Sequence, residues 1–210
     1  MVERRSGSLS TRKQPQQARS AELVAAILEA AIQVLAKEGA QRFTTARVAE
    51  KAGVSVGSLY QYFPNKAAIL FRLQSDEWQQ TSAILRDILE DRGDPPPQRL
   101  RRLVHAFIRS ECDEAEVRGA LDDAAPLYRD APEARKARKA MDGTIAAFLR
   151  EAAPRSADAT RARAAELISR TLAAVGKDFS SRPRSAAEIT AYADAVADML
   201  CAYLKTLRRG

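Results

Sequence analysis

The twenty residues from Thr45 to Pro64, TARVAEKAGVSVGSLYQYFP, constrain what this chain can fold into more than any other stretch. Gly53 supplies a turn glycine. Val48 and Ala49 stand five and four residues before it, and Ala52, Val54, Leu59 and Tyr62 fill the remaining inward positions. Each residue type answers a steric need. Ala49 is small where a second helix must cross, and Gly53 tolerates the left-handed backbone that ends the first helix. Val54 and Leu59 plug the angle between the two helices, and Ser55 caps the second. The spacing predicts a helix-turn-helix. Val56, Gly57, Ser58, Tyr60 and Gln61 then point outward at the start of a short helix sized for a DNA major groove.

The flanking sequence extends this motif into a helical chain. Residues 1–19 are polar, basic and rich in Ser and Gln, which predicts a flexible arm that is either a solvated tail or a DNA contact. Leu23, Ile27, Ala30, Val34 and Leu35 recur at helical spacing from Ala21 to Glu38, and Gly39 closes that helix. Thr44 or Thr45 caps a second helix running to about Ala52, and a third follows from Val56 to about Phe63, where Pro64 stops it. Asn65 caps a long fourth helix over about 65–91. After the break DRGDPPP, further helices are expected over about 97–112, 114–128, 132–153, 157–179 and 185–208. No segment alternates as a strand does. The expected fold is all-α with about nine helices: a three-helix DNA-binding domain over 20–66 and a larger helical domain over 67–210.

Charge and cysteine usage narrow the function classes. Residues 1–72 hold eleven Lys or Arg against five Glu, so nearly all of the net charge of +7 gathers beside the helix-turn-helix. Phosphate attraction requires that distribution. Cys112 and Cys201 lie far apart without a His cluster, which argues against a disulfide framework or zinc site, and no metal or cofactor is expected. No nucleophile-base-acid set or phosphate loop is found, so the chain reads as a non-enzyme. The opening stretch lacks an apolar signal core, and no uncharged run reaches membrane-spanning length, so the expected location is the cytoplasm, without a membrane partner.

The segment FTTARVAEKAGVSVGSLYQYFPNKAAIL, residues 43–70, combines a Gly-Val-Ser turn, a Leu-Tyr pair, aromatics before the loop and Asn-Lys after it. With the preceding AKEGA, the front third resembles the tetracycline-repressor family of bacterial transcription regulators. Beyond about residue 75 the resemblance is one of architecture only. It implies a homodimeric, ligand-responsive regulator, a repressor by family prior, which a small-molecule effector releases from a palindromic double-stranded operator. Tyr62 and Lys66 match family positions that meet the DNA backbone. Their competing structural roles are packing for Tyr62 and a solvated surface for Lys66; Thr45, at the start of the second helix, either meets a phosphate or simply caps. Val56 and Ser58 suit a thymine methyl or base edge, Gln61 suits adenine, and Arg47 suits guanine or a phosphate. Tyr60 suits a base or the sugar-phosphate chain, and Gly57 lets the backbone approach closely.

The larger domain carries weaker signals. Leu167, Leu172, Val175, Val196, Met199, Leu200, Tyr203 and Leu204 form apolar stripes, with alanines between them, that suit a four-helix dimer interface; the competing assignment is an internal core. Trp78, His105, Phe107, Tyr128, Met141, Phe148 and Phe179 are candidates for an apolar effector pocket, though aromatics on helical faces are commonly core. His105, the only histidine, reads as a packed or surface residue rather than a base. Acidic neighbours disfavour a reactive thiolate at Cys112. Two other classes compete with a regulator: an all-helical enzyme or small-molecule carrier in which residues 43–66 are structural, and a non-specific DNA-packaging protein using the basic arm.

Overall fold

The computed structural model describes residues 13–124 and 143–209. Nine helices and no strand lie among the described residues: α1 (Lys13–Arg42), α2 (Thr45–Ala52), α3 (Val56–Tyr60), α4 (Lys66–Glu90), α5 (Pro96–Asp113), α6 (Ala115–Ala124), α7 (143–152), α8 (Asp158–Ser180) and α9 (Ala186–Arg209). The chain divides into two compact units, Met1–Leu73 and Gln74–Gly210, so the boundary falls inside α4 rather than at the expected Lys66. Helix α1 begins at Lys13, which makes residues 13–19 helical where an arm was expected. Those residues have no apolar period, but Gln, Ala and Arg are good helix formers and Pro15 falls in the first turn, where its missing N–H is harmless.

The first unit is built around an apolar stripe. Ile27, Ala31 and Leu35 follow one another at four-residue spacing on α1 and are fully buried. Phe43, Val48, Ala49, Leu59, Ile69 and Leu70 join them. Each large side chain among these contributes about 1.5–3 kcal/mol of burial. Gly39 (φ 73°, ψ 170°) breaks α1 as expected, because its left-handed φ suits glycine.

In the second unit α5 packs against both α8 and α9. Its Leu100, Leu103, Val104 and Ile108 meet a core that includes Ile168 and Leu172 of α8 and Val196, Leu200 and Leu204 of α9. Gly176 permits the close approach of α8 to α5. A methyl group there would lie 2.8 Å from Cε1 of Phe107 and 2.9 Å from Cγ of Glu111. Arg99 is buried on α5, donates to the Leu89 carbonyl at 2.5 Å and pairs with Glu151 of α7. The pair holds the Glu151 carboxyl below its ordinary range, chiefly through the hydrogen bond from Arg99. Helix α9 starts in a capping box: the Ser185 N–H donates to Glu188 at 2.8 Å, and the Glu188 N–H donates back to Ser185 Oγ at 3.3 Å.

Candidate nucleic-acid interface and ligand domain

The helix-turn-helix is closed by caps at each end. Thr44 is extended and its hydroxyl accepts from the Arg47 N–H at 3.3 Å, so Thr44 rather than Thr45 caps α2. Thr45 Oγ1 instead lies 3.1 Å from the Tyr60 hydroxyl, joining the first turn of α2 to the last residue of α3. Gly53 ends α2 with φ 68° and ψ 28°. The bonds Gly53 N–H to Glu50 at 3.1 Å and Val54 N–H to Ala49 at 3.0 Å complete a Schellman turn. Ser55 caps α3 by accepting from Ser58 N–H at 3.0 Å, and the two serine hydroxyls lie 2.8 Å apart.

Those caps fix which residues α3 presents. Leu59 is fully buried, whereas Val56 is 40% and Tyr60 49% exposed. Gly57 and Gln61 are exposed too. Helix α3 ends at Tyr60, short of the expected Phe63, although Phe63 N–H still donates to Leu59 at 3.0 Å and continues the turn. Asn65 caps α4 as expected, accepting from Ala68 N–H at 2.9 Å, with half-buried Lys66 as its first residue.

Two partners escaped sequence reasoning. Ser20 of α1 donates to the Tyr62 hydroxyl at 3.1 Å, so Tyr62 packs and is also held by its oxygen. Arg47 forms an ion pair with Glu38 near the end of α1, and its Nη1 also donates to the Arg42 carbonyl at 3.3 Å. Neither separation, 42 residues or nine, leaves a local spacing pattern.

In the second unit several expected roles change. Leu172, Val196, Leu200 and Leu204 are buried in the chain's own core, so they do not form the expected dimer surface. Leu167 and Met199 remain about half exposed, and Val175 and Tyr203 are half-buried. Among the expected pocket residues, Phe148 is core beneath Arg99, and Phe179 stacks on Tyr192 at 3.9 Å with the Arg184 guanidinium 4.5 Å from its ring centroid. His105 Nε2 lies 3.0 Å from Asp194 of α9, while Phe107 meets Gly176 of α8. These two side chains leave α5 in different directions and do not share one wall. Trp78 is half-buried on α4; Tyr128 and Met141 lie outside the described residues. Burial first, and then Asp113 and Glu111, push the Cys112 thiol up, as its acidic neighbours implied.

A polar hub on α4, α5 and α6 has no counterpart in the expected pocket. Arg118 pairs with Glu77 at 2.7 Å, with Glu114 at 2.9 Å and with Glu111, and donates to Ser110 at 2.7 Å and Thr81 at 3.2 Å. Gln74 and Thr81 each donate to Glu77. Burial raises the Glu77 pKa, and Arg118 offsets only part of that rise. No helix among the described residues is long and apolar enough to cross a membrane.

Comparison with known proteins places both parts of the chain. Residues 27–73 match the family model "Bacterial regulatory proteins, tetR family", and residues 95–207 match "Tetracyclin repressor-like, C-terminal domain". The nucleoid occlusion factor SlmA of Vibrio campbellii is 36% identical over 83 residues, 39% of this chain and 42% of that protein. The HTH-type transcriptional repressor KstR of Mycolicibacterium smegmatis is 34% identical over 84 residues, 40% and 41% of the two chains. The chain thus spans about two fifths of the length of these curated relatives. A crystal structure of the transcriptional regulator FadR from Bacillus subtilis in complex with stearoyl-CoA shares the fold, with a TM-score of 0.67 at 16% identity over 84% of this chain and 97% of that one. The exposed, doubly capped α3 and the two matched segments lead to one assignment: the chain belongs to the tetR family of bacterial regulatory proteins.

Proposed function

We propose that this protein is a cytoplasmic, homodimeric transcriptional repressor that binds a palindromic operator and leaves it when a small molecule occupies the second unit. The observation that carries the DNA reading is the outward face of α3, where Val56, Gly57 and Tyr60 are exposed on a helix fixed by Ser55 and by the Thr45–Tyr60 hydrogen bond. Bases are read by that face, while Thr45, Tyr62 and Lys66 position it on phosphates. Membership of the family and the relatedness to the transcriptional repressor KstR favour repression, whereas the shared stretch with SlmA, a nucleoid occlusion factor, does not fix the output.

Effector control rests on α4, which runs unbroken from Lys66 to Glu90 and therefore carries residues of both units. A ligand that prefers one arrangement of α4, α5 and α6 shifts the population of DNA-competent molecules by its differential affinity. The Arg118 hub is the polar connection such a ligand would have to accommodate. The FadR complex with stearoyl-CoA makes acyl-CoA thioesters sensible first compounds to assay.

Selection of bound sites from random duplexes tests the function. A palindromic motif is expected, and Lys66→Ala should weaken binding to all duplexes while lowering the salt slope by about one. Recovery of no common sequence would favour non-specific packaging instead.

A further inference from the structure

The Glu38–Arg47 pair joins helices that the helix-turn-helix must hold in register. Arg47 sits in the first turn of α2, two residues after Thr45, and a rotation of about 200° separates two such positions on a helix. Thr45 faces α3 through its bond to Tyr60. Arg47 is therefore turned the other way, toward the end of α1. There its Nη1 is shared between the Glu38 carboxylate and the Arg42 carbonyl. Glu38 is the last residue before the left-handed Gly39, and Arg42 directly precedes the fully buried Phe43 and the cap Thr44. One guanidinium thus spans the whole corner between α1 and α2.

Charge makes this pairing informative. Between Ala30 and Lys66 the only acidic residues are Glu38 and Glu50, against Lys37, Arg42, Arg47, Lys51 and Lys66. An acid in so basic a segment lowers its attraction for phosphate, so a structural gain must offset that loss. The pair is also half open to solvent, with side-chain exposures of 42% for Arg47 and 28% for Glu38. An ion pair so exposed adds little to global stability. Its placement is more telling: Arg47 also donates its backbone N–H to the Thr44 cap and lies two residues after Thr45, whose hydroxyl meets Tyr60.

We propose that Arg47 is a positioning residue for operator binding, which acts through Glu38 and the Arg42 carbonyl to hold the α1–α2 corner, and is not itself a DNA ligand. This rests on the operator-binding reading above. It also replaces the guanine or phosphate contact that sequence alone suggests for Arg47.

The test measures operator affinity against salt, well below the melting transition, for the full chain and four variants. Arg47→Met and Glu38→Gln should each weaken binding roughly five- to tenfold with an unchanged slope of log affinity on log salt. The exchange Glu38→Arg with Arg47→Glu should recover most of that loss, and Arg47→Lys should lie between. A slope reduced by about one in Arg47→Met, with Glu38→Gln neutral or tighter, would make Arg47 a phosphate ligand and overturn the proposal. Unchanged affinity in both single variants, or a lowered melting temperature with affinity intact, would overturn it as well. A wild-type chain that selects no duplex defeats the operator reading itself, which separates that failure from loss of the strut alone.

Discussion

At Gly57 an added methyl group would meet nothing nearer than Ser55 Oγ at 3.8 Å, and the backbone is not left-handed. The fold therefore does not require glycine there, and alanine is the better helix former by about 1 kcal/mol. A surface that must come within backbone reach of DNA does require it. Gly57→Ala is accordingly expected to keep or raise the melting temperature while reducing operator affinity about tenfold, the value of roughly one good base contact. Melting and titration on one preparation decide it, and equal affinity would remove Gly57 from the interface. Residues whose role is set by near neighbours were legible in the sequence: Gly53, Ser55 and Asn65 act within three or four positions, as caps do. Thr44 and Thr45 are both acceptable caps by chemistry, so only the backbone decided between them. The Glu38 partner of Arg47 was not legible, because it is on another helix and a lone basic residue carries no mark of that.

At the scale of helices, periodicity shows which face is apolar but not which neighbour covers it. That explains why Leu172, Val196, Leu200 and Leu204 read as a surface stripe yet lie inside, against a core to which α5 contributes. The same contact makes Gly176 sensitive. Gly176→Ala must displace the Phe107 ring and the Glu111 chain and should destabilise the protein by about 1–3 kcal/mol, as denaturant unfolding would register. No change would show that both side chains can yield. The Arg118 hub gives a pH signature of its own. Because burial raises the Glu77 pKa above its ordinary 4.5, the stabilising contribution of this group is complete below that value and is lost as pH rises through the higher folded-state value. Glu77→Gln keeps the side chain's shape without the charge. Its melting temperature relative to wild type should therefore climb as pH rises from about 4.5 toward neutrality. A difference that stays flat with pH would mean that Arg118 cancels burial, and one that falls would mean that Arg118 outweighs it.

For the whole molecule, the proposed homodimer would turn a modest reading helix into a specific one. A five-residue α3 makes few base contacts, so useful affinity needs two copies acting together at half-sites about 34–36 Å apart. With their inner faces in the core, α8 and α9 still expose Leu167 and Met199, and Ala191, Ala195 and Ala202 follow the outward face of α9. Small residues beside two large apolar ones allow close helix approach, which suits a second copy of the chain. Met199→Glu places a charge there without touching the core. It should shift the sedimenting species from dimer to monomer at micromolar concentration and weaken operator binding by roughly 10²–10⁴, the effective-concentration advantage of joining two readers. Leu172→Ala, cut from the core beneath, should instead destabilise the fold by about 2–5 kcal/mol and leave the association state unchanged while the protein remains folded. If Leu172→Ala gives monomers and Met199→Glu remains a tight-binding dimer, the outward face has been assigned wrongly and copies of the chain meet elsewhere.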